Sequence, residues 1–406
     1  MIVPDAPPPP HFGSLLREVA SHTAVTFFST FAIQATTFAI LALAALLLPV
    51  TDFARLSLIV AVVMLSSGLF EWGLNITATK MYGDTHDEGY LRLAFVFRLA
   101  LVPVGTAVGA AVALTGEPDI GVGIGLGTLL NVWNGIRATD QARQDYASFT
   151  RSSVVFAGLR AVAGLTVLLA SGEPLLLAVA IYAVPVAASA LSASARLARH
   201  AFSQPWPPLA GSFGYAVHVY LNAVTFIAIP YVPQFFISSR LDATAIGTYG
   251  LILTFVGPIS LLVYSIRSVL LPKMLGSASA FEDILWSGRG LALIAALWST
   301  LIAGGAVLAY VLGVVYGARY QEIGATFLIF FIGFSGTSAI GLYSLSVHTR
   351  GIPKLASLVG IAKLLVLIPA LLFYGDSLTG VVSAVAAVML GFEILLALIL
   401  LWSKRP

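Results

Sequence analysis

The chain has 406 residues, of which 59% are hydrophobic and only 10% are charged, and it contains no cysteine. Soluble domains carry roughly 25% charged residues. The low charge content and the mean hydropathy of +0.96 together exclude a water-soluble globular protein. The lack of cysteine excludes disulfides, thiolate nucleophiles and cysteine-bound metals. The net charge of +3 indicates no nucleic-acid surface, because the cations gather at one predicted membrane face.

The apolar segments predict an all-α polytopic membrane protein. A hydrocarbon layer of about 30 Å requires roughly 20 apolar residues at helical rise. Twelve segments meet this length when isolated charges are allowed inside them. The predicted transmembrane helices are 23–49, 54–80, 91–114, 119–146, 152–171, 175–196, 210–238, 244–272, 289–315, 322–347, 352–375 and 378–402.

The distribution of basic residues predicts that both termini are cytoplasmic. With that orientation, fifteen of the 21 Lys and Arg residues lie on the cytoplasmic side, three lie outside and three lie within spans. Residues 1–22 begin MIVPDAPPPP and are predicted to be a disordered cytoplasmic tail rather than a signal peptide, and 403–406 form a second tail.

An internal repeat predicts two pseudo-symmetric six-helix lobes around a central cavity. Shifting the chain by 193 residues aligns 53–83 with 246–276 without a gap, and a shift of 203 aligns Arg160 with Lys363. Parallel repeats of this kind place a substrate site between the two halves. The lobes are predicted at 23–200 and 210–402, joined by the proline-rich linker 201–209.

Charged and polar residues within the spans are the candidate functional residues, since a buried charge costs roughly 2.5 to 3.5 kcal/mol on insertion scales. An inner-half layer of cations facing the cavity would suit an anionic substrate. Three structural alternatives remain open. Glu71 pairs with Arg98 and Lys363 with Glu393, or Arg267 or Arg160 snorkels to the membrane surface. The uncharged polar residues form interhelical hydrogen bonds instead of lining the cavity. The candidate cations are Arg98, Arg160, Arg267 and Lys363, and the candidate polar or charge-balancing residues are Gln34, Glu71, Asn75, His218, Asn222 and Glu393. None has the spacing of a metal or catalytic site.

Several segments resemble the polysaccharide and oligosaccharide-lipid flippases of the multidrug, oligosaccharidyl-lipid and polysaccharide exporter superfamily. They are PVTDFARLSLIVAVVMLSSGLFEWGLNITATKMYG, RLDATAIGTYGLILTFVGPISLLVYSIRSVLLPKM, GARYQEIGATFLIFFIGF and HTRGIPKLASLVGIAKLLVLIPALLFYG.

The resemblance implies a non-enzymatic, cofactor-free carrier in a bacterial inner (plasma) membrane. It implies movement of an undecaprenyl-diphosphate-linked glycan, such as an O-antigen-type repeat unit, from the inner to the outer leaflet by alternating access. Membrane lipids and glycan polymerase or export proteins are the implied partners, and nucleic acid is not among them. On this analogy, the candidate cations meet the diphosphate or acidic sugars. The alternatives are a drug/cation antiporter of the same superfamily and a membrane-embedded polymerase or glycosyltransferase.

Overall fold

The computed structural model describes residues 12–201, 213–257, 285–344, 347 and 353–403. These residues form helices and connecting turns, with no β-strand in the described ranges. In chain order the helices are α1 Phe12–Leu47, α2 Val50–Leu69, α3 Leu74–Thr85, α4 Gly89–Leu114, α5 Pro118–Ala142, α6 Tyr146–Ala170, α7 Pro174–Ala201, α8 Phe213–Arg240, α9 Ala243–Gly257, α10 Gly288–Tyr316, α11 Ile323–Ile340, α12 Pro353–Tyr374 and α13 Leu378–Trp402.

Each predicted transmembrane helix has a helical counterpart, which confirms the all-α polytopic fold. Within the described part of the chain, nine segments are long and apolar enough to cross a membrane, with α2 and α3 counted as one. The other three predicted spans correspond to α5, which carries several polar residues, and to α7 and α9, whose described apolar parts are shorter.

The predicted helix 54–80 is broken in the structure, which corrects the sequence prediction at this point. The chain leaves α2 at Phe70 and takes left-handed backbone angles at Trp72 (φ 56°) and Gly73 (φ 69°). The Glu71 carboxylate then accepts hydrogen bonds from the backbone N–H groups of Gly73 (2.8 Å) and Asn75 (2.6 Å). This cap satisfies amides that would otherwise be exposed at the start of α3.

Helix ends elsewhere also follow local capping. Asp145 accepts from the backbone of Ser148 at 3.0 Å, so α6 begins at Tyr146, six residues before the predicted start at 152. Ser287 and Ser377 cap α10 and α13 in the same way. At the chain start, α1 begins at Phe12 and therefore includes part of the predicted tail 1–22.

The helices pack as two lobes, α1–α7 and α8–α13. In the first lobe α5 packs on α2 and α4, and α6 packs on α1 and α7. In the second lobe α11 packs on α10 and α13, and α12 packs on α8 and α13. Contacts of α8 with α2 and α3 join the lobes along one seam. Residues 202–209 of the predicted linker lie outside the described residues.

Candidate translocation site

A cleft lies between the two lobes and encloses about 610 Å³ when its opening to solvent is included; it is called the cavity below. Its wall is formed by α1, α2 and α7 of the first lobe and by α8 and α9 of the second. The described wall contains no Asp, Glu, Lys, Arg or His side chain, but it is rich in hydroxyl, amide and aromatic groups. The lining residues are Gln34, Thr37, Phe38, Leu41, Ser57, Val60, Met64, Tyr182, Tyr231, Gly250, Leu253, Thr254 and Gly257.

Among the candidate residues that the structure describes, only Gln34 lies in this wall. Its side chain is partly exposed, and its amide makes no hydrogen bond with any described residue. An amide presents two donor hydrogens and one acceptor oxygen. Gln34 is therefore available to a molecule in the cavity.

Arg160 lies directly behind the wall rather than in it, and it is only 4% exposed. Its guanidinium donates to the Thr37 hydroxyl and to the backbone oxygen of Ile181, the latter at 2.8 Å. The same group lies over the rings of Phe156 (4.5 Å) and Tyr182 (5.2 Å). Both Thr37 and Tyr182 line the cavity, so the positive charge of Arg160 is one side chain away from its interior.

No carboxylate pairs with Arg160 among the described residues. The charge is held instead by neutral oxygens and aromatic faces, which leave it formally uncompensated. Because charge interactions strengthen where the effective dielectric constant is low, this cation favours an anionic group in the adjacent cavity.

One end of the cavity is closed by contacts between the lobes, at the membrane face where α1 ends and α2 begins, here called the α1–α2 face. Arg319 donates to the backbone oxygen of Leu48 at 2.9 Å, and Tyr320 donates to that of Ala45 at 3.2 Å. In addition, Tyr316 donates to the Ala42 oxygen at 3.2 Å. Tyr316, Arg319 and Tyr320 of the second lobe, with these carbonyls at the end of α1, are called the latch.

Aromatic rings extend the closure beneath the latch. Phe255 meets Phe38 of the other lobe with ring centroids 4.9 Å apart, and it meets Tyr316 at 5.8 Å. Phe53 contacts Tyr320 at 5.9 Å. Two of these ring pairs, Phe38 with Phe255 and Phe53 with Tyr320, cross the lobe boundary, and their packing closes this side of the cavity toward the α1–α2 face.

Three further candidate residues meet inside the first lobe, next to the break between α2 and α3. Arg98 is 1% exposed and donates to the Asn75 side-chain oxygen at 2.6 Å. The Glu71 carboxylate, which caps α3, lies 3.7 Å from the same guanidinium. Arg98 is thus neutralised within the lobe and does not line the central cavity.

In the second lobe, Lys363 of α12 and Glu393 of α13 form an ion pair at 2.5 Å, and both are more than nine-tenths buried. His218 of α8 hydrogen-bonds Ser357 of α12 at 3.1 Å. Asn222, one turn along α8, makes no side-chain hydrogen bond with a described residue. None of these four candidates, Lys363, Glu393, His218 and Asn222, lines the cavity.

The repeat-related positions Arg160 and Lys363 therefore have different surroundings, because among the described residues only Lys363 has a carboxylate partner. Arg160 stands close to the middle of α6, which runs from Tyr146 to Ala170. Arg267 lies outside the described residues. Within the described ranges, no group of three His, Cys, Asp or Glu side chains is placed to hold a metal ion.

Sequence reasoning missed most of the cavity wall and the whole latch. Tyr182 and Tyr231 stand in apolar helices, where aromatic residues are common and carry no distinctive spacing. The latch residues follow one another in the segment YGARY, and only the clustering of one cation with tyrosines at a helix end distinguished it. Helix-end cations commonly bind backbone oxygens, which is the one signal that was available.

No protein-family model matches the chain, and no curated protein sequence matches it. Solved structures do match over almost the full length. A multidrug resistance MATE family transporter of the MOP superfamily, in an outward-facing conformation, has a TM-score of 0.65 at 13% identity and covers 94% of this chain and 95% of its own.

Two further matches have comparable values. A variant of the Vibrio cholerae MATE transporter VcmN has a TM-score of 0.62 at 13% identity, covering 97% of this chain and 98% of that one. A MOP superfamily transporter from Pyrococcus furiosus, described as having a binding pocket of reversed polarity that suggests a different function, has a TM-score of 0.63 at 15% identity, with 95% of each chain covered. At these identities the likeness concerns the backbone, and the chain accordingly has the two-lobed fold of the MATE transporters of the MOP superfamily.

Proposed function

We propose that the protein is an alternating-access transporter that flips a lipid-diphosphate-linked oligosaccharide between membrane leaflets. The observation that carries this proposal is Arg160, a buried cation that no described carboxylate pairs with, beside a cavity whose described wall has no carboxylate. The diphosphate of the lipid carrier supplies the missing negative charge. The hydroxyl, amide and aromatic groups of the wall suit the attached sugars.

The latch supports the alternating-access part of the proposal. It closes the cavity at the α1–α2 face through contacts that cross from one lobe to the other. A rocking motion of the lobes that breaks these contacts would expose the cavity to that face. Even with its opening to solvent included, the cavity encloses only about 610 Å³, which is too little for a lipid-linked oligosaccharide, so the lobes must separate during transport.

A drug/cation antiporter is the second candidate, and two observations favour it. The neighbours in fold include multidrug transporters, and Phe38, Tyr182 and Tyr231 give the cavity aromatic faces that attract cations. An antiporter, however, couples drug export to the entry of protons or metal cations, and this coupling requires a carboxylate that exchanges them. Glu71 and Glu393, the carboxylates that lie away from the helix ends in the described spans, are each held beside a cation and do not line the cavity. This arrangement favours the flippase over the antiporter.

In the proposed setting, the protein lies in a bacterial inner membrane with both termini cytoplasmic, so the α1–α2 face is external. Cysteine labelling tests this orientation in the cysteine-free chain. Membrane-impermeant maleimide should modify Glu117→Cys and Asp376→Cys in intact cells and spare Asp87→Cys, all three positions being exposed. The reverse labelling pattern would overturn the orientation.

Reconstitution tests the function itself. Purified protein in liposomes should move a fluorescent prenyl-diphosphate-linked sugar between leaflets, as measured by its accessibility to a membrane-impermeant quencher. Arg160→Ala should slow this movement, whereas Arg143→Ala, which removes a surface cation paired with Glu88, should not. Proton-driven efflux of a cationic dye, with no movement of the lipid-linked sugar, would assign the protein to the antiporters instead.

A further inference from the structure

The geometry points to a cavity that binds an uncharged sugar ring and discriminates against an acidic one. This inference rests on the proposed function and specifies the glycan that the same cavity admits. It arises from how the wall distributes aromatic faces, hydrogen-bonding groups and charge.

Aromatic rings provide the faces that a pyranose requires. Phe38, Tyr182 and Tyr231 come from three different helices and line one cavity. A pyranose presents C–H bonds on its two faces, and these pack against aromatic rings, whose faces carry partial negative charge. Neither tyrosine hydroxyl has a hydrogen-bond partner among the described residues, so both remain available to the sugar.

Unpaired polar groups provide partners for the sugar hydroxyls. The Gln34 amide and the Ser57 hydroxyl make no hydrogen bond with any described residue, and both line the cavity. Gly250 keeps the Ser57 hydroxyl accessible, because a Cβ at that position would collide with Ser57 Oγ. Buried polar groups normally have partners, so groups left free in a cavity wall are suited to a ligand that supplies them.

The charge balance of the cavity argues against an acidic sugar. Arg160 lies behind the described wall, and the carrier diphosphate already outweighs its single charge. A sugar carboxylate would enter the same space without a cationic partner among the described lining residues. Burial of an unpaired charge is costly, whereas a neutral hydroxymethyl group finds the amide and hydroxyl groups that the wall provides.

A matched pair of ligands tests the inference on the purified full-length chain. Farnesyl diphosphate linked to glucose and farnesyl diphosphate linked to glucuronic acid differ only at C6 of the sugar, and sugar-free farnesyl diphosphate is the third probe. We expect the dissociation constant of the glucosyl ligand to be lower than that of the glucuronosyl ligand by about tenfold or more. The free-energy cost of burying an unpaired charge corresponds to at least a tenfold loss of affinity. Dissociation constants from isothermal titration calorimetry measure the difference.

Variants connect the preference to the wall. Gln34→Ala and Ser57→Ala should each weaken binding of the glucosyl ligand about 3- to 10-fold, the effect of one hydrogen bond, and leave sugar-free farnesyl diphosphate unaffected. Gln141→Ala is the matched control, because Gln141 is exposed and does not line the cavity.

The outcomes separate the inference from the function on which it rests. Equal or tighter binding of the glucuronosyl ligand would overturn the preference for an uncharged sugar while the flippase proposal stands. If both wall variants bind the glucosyl ligand as tightly as the parent chain does, the sugar does not bind at this wall. Failure of all three probes to bind would overturn the flippase proposal and the inference together.

Discussion

Removing the latch should shift the protein toward a state that is open at the α1–α2 face. Tyr316→Phe and Tyr320→Phe each delete one neutral hydrogen bond to the end of α1, worth about 1 kcal/mol. Arg319→Ala deletes a charged donor, but this side chain is exposed, so we assign it only about 1 kcal/mol as well. The triple variant therefore loses about 3 kcal/mol, which changes the equilibrium between closed and open states about a hundredfold.

Ser171 and Asp376 lie in different lobes on this face. Spin labels on Ser171→Cys and Asp376→Cys report the opening as a change in their distance, measured by pulsed electron paramagnetic resonance. The triple latch variant should show a longer distance population than the parent chain. Arg55→Ala is the matched control, since Arg55 is an exposed arginine on the same face that pairs with Asp119 inside one lobe. An unchanged distance distribution in the triple variant, or an equal shift in Arg55→Ala, would refute the reasoning.

The remaining predictions concern charge and pH. Arg160→Ala should reduce flipping about tenfold or more and Arg160→Lys should be milder, because the uncompensated charge acts on the cavity through a low dielectric; wild-type rates in the alanine variant at equal protein level would contradict this. Lys363→Met alone should lower the free energy of unfolding by about 3 to 5 kcal/mol, because it leaves Glu393 buried and unpaired. The double variant Lys363→Met, Glu393→Leu should recover most of this stability, as measured by thermal unfolding. Equal stability of the two variants would show that the pair is not structural. Burial raises the pKa of Tyr320 to about 12, so its donated hydrogen bond is intact below the ordinary tyrosine pKa of about 10 and is lost as pH rises through about 12. The parent chain should therefore gain tyrosinate absorbance at about pH 12 that Tyr320→Phe lacks, and ionisation of the same tyrosine near pH 10 would argue against its burial. Expression should not raise resistance to cationic dyes, and a clear increase in minimum inhibitory concentration would favour the antiporter.

The amino-acid sequence by itself determined where the helices lie and that they cross a membrane. Apolar length alone located the predicted spans, because a lipid environment requires continuous helices of a minimum length. The ion pair of Lys363 with Glu393 and the proximity of Glu71 to Arg98 were already among the alternatives, since opposite charges deep in neighbouring helices tend to pair. The break after α2 was not predicted, because a carboxylate that caps a new helix and one that pairs with a cation look alike in sequence.

Only the tertiary structure decided which side chains face the cavity. In a soluble helix an apolar stripe marks the buried face, but a membrane helix is apolar toward both lipid and protein, so its sequence gives little indication of the inward side. Gln34 lies in the cavity wall, whereas the side chain of Asn75, an equally plausible polar residue, accepts a hydrogen bond from Arg98 inside the first lobe. The latch depended on tertiary structure even more, because its acceptors are backbone oxygens of α1, and every residue has one. Arg319 and Tyr320 reach those oxygens only because the two lobes bring the turn after α10 to the end of α1, a contact between segments more than 270 residues apart.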